Sequence, residues 1–163
     1  RMSAVACFAL FVDLENCGGK KSMLMDVIER VKIRGDILLG KVYGYTDRYS
    51  ELKECLLSNT FFVVPSLRYG KNQKNNLDIQ LVIDAMEVAY ANPLINGFCI
   101  VSGDSDYTPL VGRLKSMGKF VLGISRSALF RQIAKLKQEG VVRSHGRALC
   151  LQTPSPHTYR PLR

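Results

Sequence analysis

Two kinds of apolar pattern alternate along this chain. Residues 4–12 are apolar without interruption and β-compatible, the signature of a parallel strand buried on both faces. After a turn at Gly18-Gly19, Leu24, Val27, Ile28 and Val31 recur at helical spacing. They predict a helix that Ser22 caps and that runs to about Lys32, where Gly35-Asp36 breaks it. Residues 37–45 predict a second strand, 49–57 a short helix and 61–65 a third strand. The longest helix is expected over 78–91, ended by Asn92-Pro93. A fourth strand over 98–101, a helix over 107–117 stopped by Gly118 and a fifth strand over 120–124 follow. A last helix over about 128–138 and an edge strand over 148–151 complete the set. The Pro- and Thr-rich residues 153–163 read as a flexible tail.

Strands alternating with helices at this spacing imply an α/β fold, a single three-layer domain over residues 1–152. Its central sheet is mainly parallel, has about five strands and carries helices on both faces. In such sheets the loops at the carboxyl ends of the strands form the ligand crevice, at the point where strand order reverses. Asp13, Thr46, Ser66, Asp104 and Ser125 are then expected on one rim.

The polar residues that interrupt this pattern carry the chemistry. Asp13 ends the first apolar run, at the edge of the core, where a lone charge is costly to desolvate and needs a partner. A turn-forming aspartate bonded to the following backbone is the simpler alternative. Asn16, three residues on, is placed to hold that loop or touch the same ligand. Asp104 and Asp106 follow Val-Ser-Gly at the end of the fourth strand. One of them, Asp106 for preference, suits a helix cap ahead of Pro109, which leaves Asp104 and the adjacent Ser102 facing the crevice. At about 100° per residue, Leu81, Val82, Ala85 and Ala89 share the face of Asp78, while Gln80, Asp84 and Glu87 fall opposite. The helix is therefore expected to aim Asp78 along its buried stripe and to leave Asp84 on its surface.

Carboxylates gathered in one crevice repel by several kcal/mol per close pair at intermediate dielectric. A cation must compensate, and an oxygen-only ligand set suits Mg²⁺ or Mn²⁺. The reading is a metal site at Asp13, Asp78, Asp104 and Asp106 that hydrolyses phosphodiesters, with one ion or two.

The chain has 163 residues, 47% of them hydrophobic, which is enough for one α/β core. Lys and Arg outnumber Asp and Glu 23 to 14, a formal charge of +9, which favours a polyanionic partner. Five scattered cysteines with no CxxC pair fit a reduced, cytoplasmic setting, and two histidines exclude the usual structural zinc sites. No apolar run is long enough to span a bilayer. Arg68, Tyr69, Lys71 and Lys74 occupy the polar loop that leads into Asp78. Cations there would track phosphates and the aromatic would stack on a base, as in single-strand binding. Arg48 and Arg126 flank the same rim.

Phe11-Val-Asp-Leu-Glu-Asn, Asp78-Ile-Gln-Leu-Val-Ile-Asp and Val-Ser-Gly-Asp-Ser-Asp-Tyr-Thr-Pro-Leu-Val, with Leu114-Lys-Ser-Met-Gly-Lys, resemble the NYN family of PIN-like ribonucleases, particularly its LabA-like branch. The resemblance runs in order over about residues 5–124. It implies a Rossmann-like sheet and metal-dependent RNA cleavage, and it carries metal-site roles to Asp13, Asp78, Asp104 and Asp106, with Asn16 beside them. Asp84 also matches a family acid, in a supporting place. The family often has a lysine three residues before the helix carboxylate; here that position is Asn75, with Lys74 one step back.

A metal-dependent ribonuclease acting on RNA, alone, as a homodimer or with a targeting partner, is the expected function. The alternative is a catalytically inactive RNA-binding or scaffold module of the same fold. A nucleotide-binding enzyme is disfavoured because neither GxGxxG nor GxxxxGK[ST] follows the first strand.

Overall fold

A computed structural model of the chain describes residues 5–67, 76–124, 142–145 and 148–151. The chain divides into two compact units, Arg1–Arg126 and Ser127–Arg163. In the second unit, strands β6 (Val142–His145) and β7 (Ala148–Leu151) pair antiparallel as a separate two-stranded sheet. The helix expected over 128–138 and the tail from 153 lie outside the described residues.

The first unit is built on strand β1 (Ala6–Asp13), of which residues 8–13 are buried. It pairs in parallel with β2 (Gly35–Tyr45) on one side and β4 (Gly97–Val101) on the other. Strands β3 (Phe62–Pro65) and β5 (Phe120–Ile124) extend the two edges, so the sheet is all parallel in the order β3-β2-β1-β4-β5. Side chains that alternate along β1 supply two separate cores. Phe8, Leu10 and Val12 meet α2 (Lys21–Arg34) and α3 (Lys53–Ser58) on one face; Ala9 and Phe11 meet α4 (Leu77–Ala91) and α5 (Thr108–Ser116) on the other. That period of two is what makes a continuous apolar run the mark of a central strand.

Several boundaries shift from expectation. The helix α2 starts at Lys21 and reaches Arg34, so Ser22 sits inside it and caps nothing. The second strand begins at Gly35, because Gly35 pairs with Ala6 so closely that a Cβ there would stand 2.0 Å from the Ala6 carbonyl oxygen. The short helix expected over 49–57 is a 3₁₀ segment, Asp47–Leu52, running into α3.

The order of the strands fixes where a crevice opens. The chain steps outward from β1 to β2 to β3, then returns to the far side of β1 as β4. The segment after β1 leads to α2 on one face, and that after β4 leads to α5 on the other. The two segments diverge at adjacent strand ends, the switch point where α/β sheets bind ligands. Asp13 ends its strand and Thr46, Ser66 and Asp104 stand just beyond the carboxyl ends of theirs, on this one rim, as expected; Ser125 lies outside the described residues. No helix among the described residues is long and apolar enough to cross a membrane.

Phe11 stacks between Phe98 and Tyr43, with ring centroids at 6.3 and 6.5 Å. Truncation to alanine in so tight a place is expected to cost about 3–5 kcal/mol, read as a lower urea midpoint with unchanged slope. Burial raises the thiols of Cys17 to about 11 and of Cys99 to about 12. Both should resist a thiol reagent at pH 8 in the native protein and react on unfolding, since the thiolate is the nucleophile.

Candidate active site

The carboxylate of Asp13 is only 6% exposed at the end of β1. Its Oδ2 accepts hydrogen bonds from Asn16 Nδ2 at 2.8 Å, Ser102 Oγ at 3.1 Å and the Tyr107 hydroxyl at 3.3 Å. Asp13 precedes the one-turn helix α1 (Leu14–Cys17) but makes no side-chain cap bond to it, so the turn-forming alternative is not what the fold uses. Three donors on one oxygen are what a buried carboxylate needs in place of water.

The same residues stitch the two loops of the switch point together. Asn16 takes the Gly103 N–H on its carbonyl at 2.8 Å, and Ser102 Oγ takes the Asp104 N–H at 3.1 Å. Asp104, half-buried, accepts the Asp106 N–H on Oδ1 at 2.9 Å and caps the 3₁₀ turn Ser105–Tyr107. This reverses the expected assignment: Asp104 is the cap and Asp106 is exposed in the turn beyond it. The extended backbone at Asp104, with ψ 124°, carries its carboxylate over the following N–H groups, whereas Asp106 is already inside the turn. Pro109 then opens α5, where its missing donor costs nothing.

Sequence reasoning passed over Tyr107, which is 4% exposed and points its hydroxyl at Asp13. Burial, then the charge and hydrogen bond of Asp13, then the charges of Asp78 and Asp104 push its ionisation far above the ordinary tyrosine range. The phenol is thus a permanent neutral donor. The charges of Asp13, Asp78 and Asp104 all act on it. The only sequence signal was its place directly after the Asp104-Ser-Asp cluster, on an apolar helical stripe that disguised it as core.

Asp78 is exposed in the first turn of α4, and its Oδ1 accepts the Ile79 N–H at 2.9 Å. The face expected for it is the buried one, since Leu81, Ala85 and Ala89 are all covered, but Asp78 stands in the first turn, where its carboxylate reaches solvent. Asp84, expected on the polar surface, is instead buried at 8% exposure, at one margin of that face. Its partners explain the burial. Lys41 Nζ lies 2.7 Å from Oδ2, the Tyr43 hydroxyl donates to the same oxygen, and Gln80 Nε2 donates to Oδ1 at 2.9 Å. Burial alone would raise the Asp84 ionisation, but these hydrogen bonds and the Lys41 charge together hold it below the ordinary carboxylate range.

Among the described residues, no three His, Cys, Asp or Glu side chains form a group that could hold a metal ion as they stand. The donor set is nevertheless hard and oxygen-only, and Mg²⁺ characteristically keeps several waters and needs only one or two direct carboxylates. Asp13, immobilised by its three donors, suits such a direct ligand. Arg48 is exposed, its guanidinium 5.1 Å from the Tyr49 ring. Arg68, Tyr69, Lys71, Lys74, Asn75 and Arg126 lie outside the described residues. Glu15, not singled out by the sequence, is exposed on the rim and accepts the Ser66 hydroxyl at 3.3 Å.

A model of the NYN domain family matches residues 8–138, a span that contains every acid of the site. An uncharacterized protein of Methanocaldococcus jannaschii is 30% identical over 118 residues, 71% of this chain and 46% of that protein. The chain therefore spans about half the length of this curated relative. A crystal structure of a protein of unknown function from Vibrio parahaemolyticus superposes with a TM-score of 0.58 at 18% identity, covering 76% of this chain and 83% of the other, a likeness of fold.

Two consequences can be measured. Ser102→Ala removes a donor from a buried carboxylate and should cost about 1–3 kcal/mol in denaturant unfolding. For Asp84, a folded-state pKa below the unfolded value means its contribution is complete above about pH 4 and is lost as pH falls through the folded value. The Tm difference between wild type and Asp84→Asn should therefore narrow below about pH 4 in thermal melts.

Proposed function

The chain belongs to the NYN domain family, within the PIN-like nuclease superfamily, and on that premise we propose that it is a metal-dependent ribonuclease acting on single-stranded RNA at the β1–β4 switch point. The observation that carries this reading is the buried Asp13, held by three donors, beside a phenol that also feels Asp78 and Asp104. Asp13, Asp78 and Asp104 would hold Mg²⁺ or Mn²⁺, with Asp106 at the mouth. When bound, the ion supplies polarisation of the phosphoryl oxygen and activation of a water.

The chain's own residues do the rest. Asn16, Ser102 and Tyr107 fix the orientation of Asp13 and spend their hydrogen bonds on Oδ2. Ser102 and the Asn16 carbonyl hold the Gly103–Asp104 backbone, so the carboxylates of two loops keep a fixed separation. The net charge of +9 attracts a polyanion despite the acidic rim, and Arg48 with Arg68, Tyr69, Lys71, Lys74 and Arg126 would bind its backbone. Within the family, the Ser-Gly-Asp-Ser-Asp segment supports the LabA-like branch.

A second reading, an inactive RNA-binding or scaffold module, is favoured by two observations: the described acids form no ready ligand group, and Asn75 stands where the family often has lysine.

Labelled single-stranded RNA incubated with Mn²⁺ or with EDTA separates the two. Wild type should cleave only with metal, and Asp104→Asn should lose about a hundredfold or more in rate while retaining RNA binding. Binding without metal-dependent cleavage selects the scaffold reading. Equal cleavage by wild type and Asp104→Asn removes the assigned site. In either reading RNA affinity should fall steeply between 50 and 200 mM salt, as phosphate contacts dominate it.

A further inference from the structure

The polar knot between α4 and β2 stands next to the rim, where Tyr43 is the register partner of Asp13 on the neighbouring strand. Asp84 brings a charge under the helix, although an apolar residue of similar volume would commonly hold a helix on a sheet as well or better. All three of its partners are side chains with defined places. Lys41 and Tyr43 are two residues apart on one face of β2, and the Lys41 ammonium also lies 5.7 Å from the Tyr43 ring. Gln80 is one turn back on α4 and two residues after Asp78. Apolar contacts at Leu81, Ala85 and Ala89 permit a helix to roll, because small side chains pack in several rotations. Hydrogen bonds to two fixed groups of one strand do not.

The two acids of α4 lie about 120° apart round one helix, six residues from each other. A roll that carries Asp84 off Lys41 and Tyr43 therefore turns Asp78 relative to Tyr107. We propose that Asp84 is a positioning residue: its contacts with Lys41, Tyr43 and Gln80 lock the rotation of α4 on the sheet and thereby hold Asp78 in register with Asp13 and Asp104. As far as it concerns metal, this rests on the ribonuclease reading above; the clamp itself does not.

The test compares wild type with Asp84→Asn, Lys41→Met and Lys41→Arg, and with Leu56→Ala, a core truncation on the opposite face of the sheet. Two readouts are used, amide hydrogen exchange by peptide in metal-free protein, and Mn²⁺ affinity by the loss of the free-ion resonance signal. Asp84→Asn and Lys41→Met should speed exchange in the first turns of α4 while β1 and β4 keep their protection. They should also weaken Mn²⁺ about tenfold, the usual scale for groups that orient a metal ligand. Lys41→Arg should restore most of both. Leu56→Ala should lower stability without moving either readout selectively. If Asp84→Asn proves too unstable to study, Lys41→Met carries the same comparison, because that lysine is partly exposed.

Unchanged α4 exchange in both variants overturns the clamp, as does an equal loss of Mn²⁺ affinity in Leu56→Ala. A wild type that neither binds Mn²⁺ nor cleaves RNA counts against the ribonuclease reading instead, and the clamp is then decided by exchange alone.

Discussion

A carboxylate that ends a strand buried on both faces is expensive unless its charge is met by donors, and the architecture around Asp13 is arranged to meet it. One donor comes from the loop after β1, one from the end of β4 and one from the turn that leads into α5. Because these segments approach from different directions, satisfying Asp13 also fixes how the two halves of the parallel sheet meet. The loops are then joined a second time through backbone groups of Asn16, Gly103 and Asp104. The hydrogen bonds that permit burial of this charge also fix the orientation of its carboxylate.

The acids around it differ in how their charge is managed, and that difference assigns them distinct tasks. Asp104 has one oxygen committed to the turn it caps, which steadies it at the crevice edge. Asp78, exposed at the start of a helix, keeps its hydration and gains modestly from the helix dipole. Asp84 is neutralised by Lys41 and cannot share an ion without abandoning that pair. Four acids that look alike in sequence thus become one buried anchor, one cap, one hydrated arm and one structural charge. Tyr107, an uncharged group, is kept neutral by burial and by the charges of three of them.

Most of the sheet was legible beforehand. Residues 8–12 announced a central strand by lacking polar positions, and Gly118 and Asn92-Pro93 marked helix ends that the fold respects to within a residue or two. Asp13, Asn16, Ser102 and Asp104 were legible as a group because each follows an apolar strand, and parallel strands bring their carboxyl ends to one rim. What misled was the placing of the two acids of α4: the expected face of Leu81, Ala85 and Ala89 is buried, but Asp78 is exposed and Asp84 is drawn under the helix. A helical wheel ranks faces by apolarity, and α4 is apolar on nearly every side, with exposed Ile79, Ile83 and Tyr90 as well as buried Leu81. The burial of Asp84 was decided by Lys41 and Tyr43, some forty residues away in the chain, which no local pattern can register.

The order of elements, the parallel sheet, the rim and the acids that reach it are consequences of periodicity and of where apolar runs stop, and these are local properties that sequence alone determined. Which carboxylate is paired, which caps a turn and which tyrosine serves as a donor rather than as core depends on side chains brought together from distant segments. Burial energies are roughly indifferent to such permutations, whereas hydrogen bonds and ion pairs are directional, and so only the tertiary structure decided them.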